Sequence, residues 1–409
     1  LFAQAVDGFN VYRGDPVALL DEASEIAPDF PMAAITKVHL LGLATEPAAA
    51  AAGRKLLEHV KTMPLGEREA SHVAALGQLL AGNWTAAGVA LDHHNMRYPL
   101  DLVALQAGHL IDFYRANARE LRDRIARVLP YWSPSVPGHA IVMGMHAFGL
   151  EECGDYARAE AVGRAATASD PRDCWAHHAV AHVLEMQGRP LDGIAWMAER
   201  EPHWAQDDNF FKVHNWWHRA LFHLELGEPD AALALYDRRL RDGDSTMALD
   251  LVDASALLWR LELGGVAVGD RWSAVAAGWD HHADGRLYPF NDWHAVMAYL
   301  GSGRDADIGR ILEAYRDAAS STVEARSWAA RIGRPLIEGF AAFGRGRYAA
   351  AAELLHGARY IANGFGGSHA QRDVIDLTLT EAALRGDLHD MAEALANERL
   401  ALKPHSPIN

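Results

Sequence analysis

One mark recurs down this chain: a glycine, then an aromatic or small residue, then an alanine. Gly154-Asp155-Tyr156 with Ala159 is the clearest copy, and Gly82-Asn83-Trp84 with Ala87 and Gly346-Arg347-Tyr348 with Ala351 repeat it. Weaker copies stand at Gly14, Gly42, Gly188, Gly227, Gly264, Gly301 and Gly386, and Asn117 takes an eleventh place. The shortest step is 28 residues, from Gly14 to Gly42, and the longest is 45, from Gly301 to Gly346. A period in this range, with a turn between two helices, is that of tetratricopeptide hairpins. No single hairpin buries its apolar face alone, so neighbours must stack. The predicted fold is therefore all-α: an α-solenoid of eleven tetratricopeptide-like helix hairpins, with residues 1–409 as one array. An array of that length is expected to coil around an interior.

Composition agrees. Half the residues are hydrophobic, enough for a large core. Ala, Leu, Arg and Glu dominate and favour helix, whereas alternating Val, Ile and Thr runs are nearly absent. A formal net charge of -16 opposes binding to nucleic acid. The two cysteines, Cys153 and Cys174, form no disulfide framework and suit a reducing compartment. No apolar run approaches the roughly 20 residues of a membrane span. Leu1-Phe2-Ala3-Gln4-Ala5 has no basic segment or long apolar stretch of a secretory leader. The expectation is a cytoplasmic chain with no membrane and no nucleic-acid partner, and a homo-oligomer stays open.

Several long strings are distinctive: Gly144-Met145-His146-Ala147-Phe148-Gly149-Leu150-Glu151-Glu152, Ala181-His182-Val183-Leu184-Glu185-Met186-Gln187-Gly188-Arg189, and His214-Asn215-Trp216-Trp217-His218. Asp253-Ala254-Ser255-Ala256-Leu257-Leu258-Trp259-Arg260, Phe290-Asn291-Asp292-Trp293-His294 and Gly366-Gly367-Ser368-His369-Ala370-Gln371-Arg372-Asp373 continue the series. On these strings the chain resembles the tetratricopeptide repeat protein 38 family along nearly its whole length. The resemblance implies a degenerate tetratricopeptide solenoid and carries no catalytic assignment.

Chemistry is expected on the inward stripe of each first helix, about 13, 10, 6 and 3 positions before the turn. Counting back from Gly188 gives Trp175, His178, His182 and Glu185. Two imidazoles and a carboxylate on one stripe suit a divalent Zn, Fe or Mn ion. The zincin pattern needs Glu directly after the first His, and Ala179 stands there. A pair of polar groove or core histidines is the plainer reading of the same residues. The next hairpin offers His214, Trp217 and His218, of which His218 could join His178 and His182; the tryptophans read equally as packing. His109, His146, Glu151, Asp253, Asn291 and His294 fall near the same stripe. His93-His94 and His281-His282 read as surface.

Gly366-Gly367-Ser368-His369 reads as a loop entering a helix, with Ser368 as N-cap and Arg372 one turn in. It is either an acid-binding corner or a plain capped turn. No Walker loop, dinucleotide glycine pattern or nucleophile elbow is present, so no nucleotide cofactor is expected.

Two functions compete. The first is a small-molecule binder or non-redox enzyme of hydrolase or lyase type. In it His146, His178, His182, His218 and His294 act in catalysis, and Trp175, Trp217, Asp253, Asn291, Trp293, Ser368, His369 and Arg372 hold substrate. The second is a scaffold that binds a peptide or protein partner in a groove. An enclosed pocket favours the first, and a long open groove the second.

Overall fold

The structure is a computed structural model that describes residues 1–404 and 406–408. Every named element among them is helical. The chain groups into two compact units: Leu1–Val183 with Pro202–Lys212, and Leu184–Glu201 with Val213–Asn409.

The first unit contains α1 (Phe2–Val11), α2 (Pro16–Ile26), α3 (Pro31–Leu43), α4 (Pro47–Val60), α5 (Glu67–Leu80), α6 (Trp84–Arg97), α7 (Leu102–Tyr114), α8 (Ala118–Val128), α9 (His139–Glu152) and α10 (Tyr156–Ser169), with the larger part of α11 (Cys174–Met186). From α1 to α10 each helix packs on the next, and α3 also meets α5 and α7. The second unit takes most of α12 (Pro190–Trp204) and continues with α13 (Lys212–Glu225), α14 (Pro229–Leu235), α15 (Ala248–Leu263), α16 (Arg271–Trp279), α17 (Pro289–Gly301) and α18 (Asp305–Asp317). It closes with α19 (Glu324–Trp328), α20 (Arg334–Gly344), α21 (Tyr348–Arg359), α22 (His369–Arg385) and α23 (His389–Leu402). There α15 packs on α17 and α22, and α17 on α20.

Local chemistry sets the helix ends. Asp15, Asp101 and Asn117 cap their helices by accepting from the backbone N–H three residues on. Pro16, Pro31, Pro47, Pro229 and Pro289 open helices where the missing N–H has no partner to lose.

Eleven helix pairs, α1–α2 through α17–α18 and then α20–α21 and α22–α23, each contain a left-handed residue in their turn. At Gly14, Gly82, Gly154, Gly188, Gly227 and Gly346 it is the glycine expected from the sequence. Elsewhere the register shifts: the left-handed residue is Thr45, Ala116, Gly265, Gly303 or Asp387, with φ between 47° and 80°. The neighbouring glycines serve packing. A Cβ on Gly42 would meet Leu79 at 3.0 Å, one on Gly301 would overlap the Trp272 indole, and one on Gly386 would lie 2.7 Å from the Ala349 backbone nitrogen.

Two buried ionisable groups mark each unit's interior. In the first, Arg124 is buried and donates to Asp112 at 2.7 Å and to the Gly88 carbonyl at 2.9 Å. In the second, the Asp292 carboxyl accepts from Gly285 N–H at 3.0 Å and from the Tyr315 hydroxyl at 2.9 Å. Burial nonetheless pushes Asp292 up to about 7.

Candidate functional site

In the second unit a line of hydrogen-bonded groups runs from the interior to two cavities. Asp253 on α15 is fully buried, and His214 Nδ1 on α13 lies 2.9 Å from its Oδ2. One helical turn on, His218 Nε2 faces His214 Nε2 at 3.2 Å. His218 Nδ1 lies 3.2 Å from Glu185 Oε2. Glu185 Oε1 is 3.9 Å from Lys403 Nζ, which also reaches Glu225 at 3.2 Å. The i, i+4 spacing of the two histidines puts both rings on one face of α13.

Trp217 walls this line. Its indole stacks on His214 at 5.3 Å and meets His218 edge-on at 4.9 Å. The Arg260 guanidinium sits 5.6 Å over its face and donates to the Ala370 carbonyl at 2.7 Å.

Proton counting constrains the line. With ionised carboxylates and neutral imidazoles, His214 Nδ1–H donates to Asp253 and His218 Nδ1–H donates to Glu185. Two Nε2 lone pairs then face each other at 3.2 Å, which one shared cation, a proton or a metal ion, would relieve. Buried carboxylates behind imidazoles are also the outer-shell arrangement of metal-ligating histidines. Burial raises the Asp253 carboxyl above its ordinary range, against the pull of His214.

Glu185 lines both cavities. One, of about 190 Å³, is bordered by His369, Arg372, Asp373, Asp376, Arg399 and Lys403 among others. The second, of about 420 Å³, adds Leu221, Leu224, Arg260 and Leu377 to the shared Glu185, Asp373 and Lys403. Burial works against the Lys403 charge, but Glu185, Asp373 and Glu225 together hold its ammonium above the ordinary value. Asp373 is likewise raised by burial but held below its ordinary range by Arg399, Lys403 and Arg260.

The first unit carries a second histidine face. His178 and His182 on α11 are buried with ring centroids 4.2 Å apart. His182 Nδ1 lies 3.3 Å from Glu151 and 3.9 Å from Glu152, and these three form a compact donor group. Phe148 packs on Trp175, His178 and His182 at 5.0 to 5.4 Å, and Phe211 on His178 at 5.1 Å. Trp175 Nε1–H donates to Gln106 at 3.0 Å. His109 lies edge-on to Trp175 at 4.6 Å, and burial pushes it down to about 3.

Asp253, Trp217 and His218 thus meet in one cluster with Glu185, and Glu185 spends its carboxylate on His218 and Lys403. His369 and Arg372 border the smaller cavity, where Arg372 bonds back to the Gly366 and Gly367 carbonyls. Ser368 is buried and completes a capping box with Gln371. His294 donates from Nδ1 to the Phe290 carbonyl at 2.8 Å, and burial pushes it down to about 3. Trp293 packs among Phe290, Phe340 and Phe365; Trp293, Asn291 and His294 are all buried and border neither cavity. His146 is buried on α9, and that burial lowers its pKa.

Lys403, Arg260, Arg399 and Glu225 join the site unforeseen. They lie off the inward stripe or on a helix far along the chain, where spacing gives no signal. His94 and His282, read as surface, are held by hydrogen bonds, and His94 is buried. No family model matches the chain.

Proposed function

We propose that this chain is a tetratricopeptide-like solenoid related to the tetratricopeptide repeat protein 38 family, binding a small acidic molecule at the cavities of the second unit. We assign it non-redox proton-transfer chemistry of the hydrolase or lyase type. The eleven turn-centred helix pairs support the solenoid. One observation carries the chemistry: the unbroken line Asp253–His214–His218–Glu185, buried at one end and lining two cavities at the other.

Glu185 is the general base, taking a proton from a molecule in the cavity. His218 Nδ1–H and the Lys403 ammonium hold the Glu185 carboxylate, and His214 and Asp253 fix the His218 ring behind it. Arg372, Lys403 and Arg260 supply the cationic rim for an acidic group, and apolar Leu221, Leu224 and Leu377 receive its body.

A peptide-binding reading has one observation in its favour. Pro407 and Ile408 line the larger cavity, so an extended chain segment fits against it.

The test is a thermal-shift screen with short dicarboxylates and inorganic phosphate, alongside elemental analysis of untagged protein. Stabilisation by an acid that disappears in Glu185→Gln supports the reading, and a metal lost in His218→Gln identifies the shared cation as that metal. No stabilisation by any acid, or one unchanged in Glu185→Gln, sinks the small-acid site.

A further inference from the structure

A second histidine constellation lies in the first unit, away from both cavities. It brings together His39 on α3, His72 on α5, His94 on α6 and Asp101, the N-cap of α7. All four are buried. His72 Nε2 and His94 Nε2 each lie 3.1 Å from the same Asp101 Oδ2. All three atoms are within 4.8 Å of one another. The remaining ring nitrogens are also held: His72 Nδ1 by His39 Nε2 at 3.0 Å, and His94 Nδ1 by Ser71 Oγ at 2.5 Å. Asp101 Oδ1 accepts from Ala104 N–H at 3.2 Å, which fixes the carboxylate.

Neutral groups can satisfy these contacts: the Ser71 hydroxyl donates either to the Arg68 carbonyl at 2.9 Å or to His94 Nδ1, and His72 and His94 can both donate from Nε2 to Asp101, which also accepts from Arg68 Nε at 2.7 Å. The same convergence of two imidazoles and a carboxylate suits a metal ion. Three donors each about 2.0–2.2 Å from a zinc-class ion lie roughly 3 Å or slightly more apart, close to the spacing found here. Each imidazole also has an outer acceptor at its other nitrogen, as ligating histidines do.

We infer that His72, His94 and Asp101 hold a divalent transition metal of the zinc class, with His39 and Ser71 as outer partners. The three ligands come from α5, α6 and the start of α7, so the ion ties successive helices together. The ligands are buried and line neither cavity of the second unit, so the site is structural. Arg68, whose side chain is 40 % exposed, swings into solvent when the ion enters. This inference does not depend on the acid–base line of the second unit.

The test titrates the chelator-stripped full chain with cobalt(II) and then zinc, reading visible ligand-field bands and the melting temperature. The expected result is one equivalent of cobalt with tetrahedral-type bands, displaced by zinc. That equivalent is lost in Asp101→Asn and kept in Asp253→Asn, which alters only the other line. If Asp101→Asn does not fold, His94→Gln takes its place. Absence of cobalt bands, or bands unchanged in the Asp101 and His94 variants, overturns the assignment.

Discussion

Asp292 offers the most quantitative test of how burial governs this chain. Its carboxyl sits about three pH units above the ordinary value of 3.8. At about 1.36 kcal/mol per unit, the ionised form destabilises the fold by roughly 4 kcal/mol. The native state binds more protons than the unfolded state between pH 3.8 and about 7. Stability is therefore greatest below the lower value, falls as pH rises through this window, and levels off above about 7. Asp292→Asn removes the ionisation and keeps an oxygen for Gly285 N–H, while the Tyr315 hydroxyl turns to accept from the amide. Relative to the parent, the variant gains about 1.4 kcal/mol per unit between roughly pH 5 and pH 7 and little beyond. Urea unfolding followed by far-ultraviolet circular dichroism at about pH 5, 6, 7 and 8 measures the difference. A gap between variant and parent that stays constant across that range would refute the reasoning.

Two further outcomes are expected. Ala116 holds φ 47° without glycine's freedom, so Ala116→Gly should stabilise the first unit by about 1 kcal/mol; a lower urea midpoint would count against it. His294 is held near 3, so the stability tied to its neutral form is complete above its ordinary value of 6.5 and is lost as pH falls toward 3. His294→Leu should flatten the acid limb of the stability profile by roughly 1 kcal/mol per unit between about pH 6 and pH 4, and an unchanged limb would falsify that role.

The helix pairs were legible because a tight turn between helices needs one left-handed residue, and glycine fills that place most readily. The exact register was less so. Gly42, Gly301 and Gly386 are retained for close helix contact, and Thr45, Gly303 and Asp387 turn the chain nearby. A glycine in sequence does not say which of these two demands it answers. The inward stripe brought forward His178, His182, His218 and Asp253, because helical period alone groups such residues. It could not find Lys403 or Arg260, whose roles come from tertiary packing. Trp293 and His294, grouped by the same period, lie buried and border neither cavity. The His72–His94–Asp101 cluster escaped because its members sit on different helices at no fixed spacing.

Lys403 bonds to Glu225 across 178 residues of chain and stands beside Glu185, so the floor of both cavities is completed by the segment just after the final helix. On the ribosome, α13 and α15 can assemble their His214–Asp253 contact long before that lysine emerges. The line from Asp253 to Glu185 can therefore form before Lys403 is there to neutralise its carboxylate end. A nascent chain stalled before Lys403 would hold Glu185 and Glu225 without their shared counter-ion.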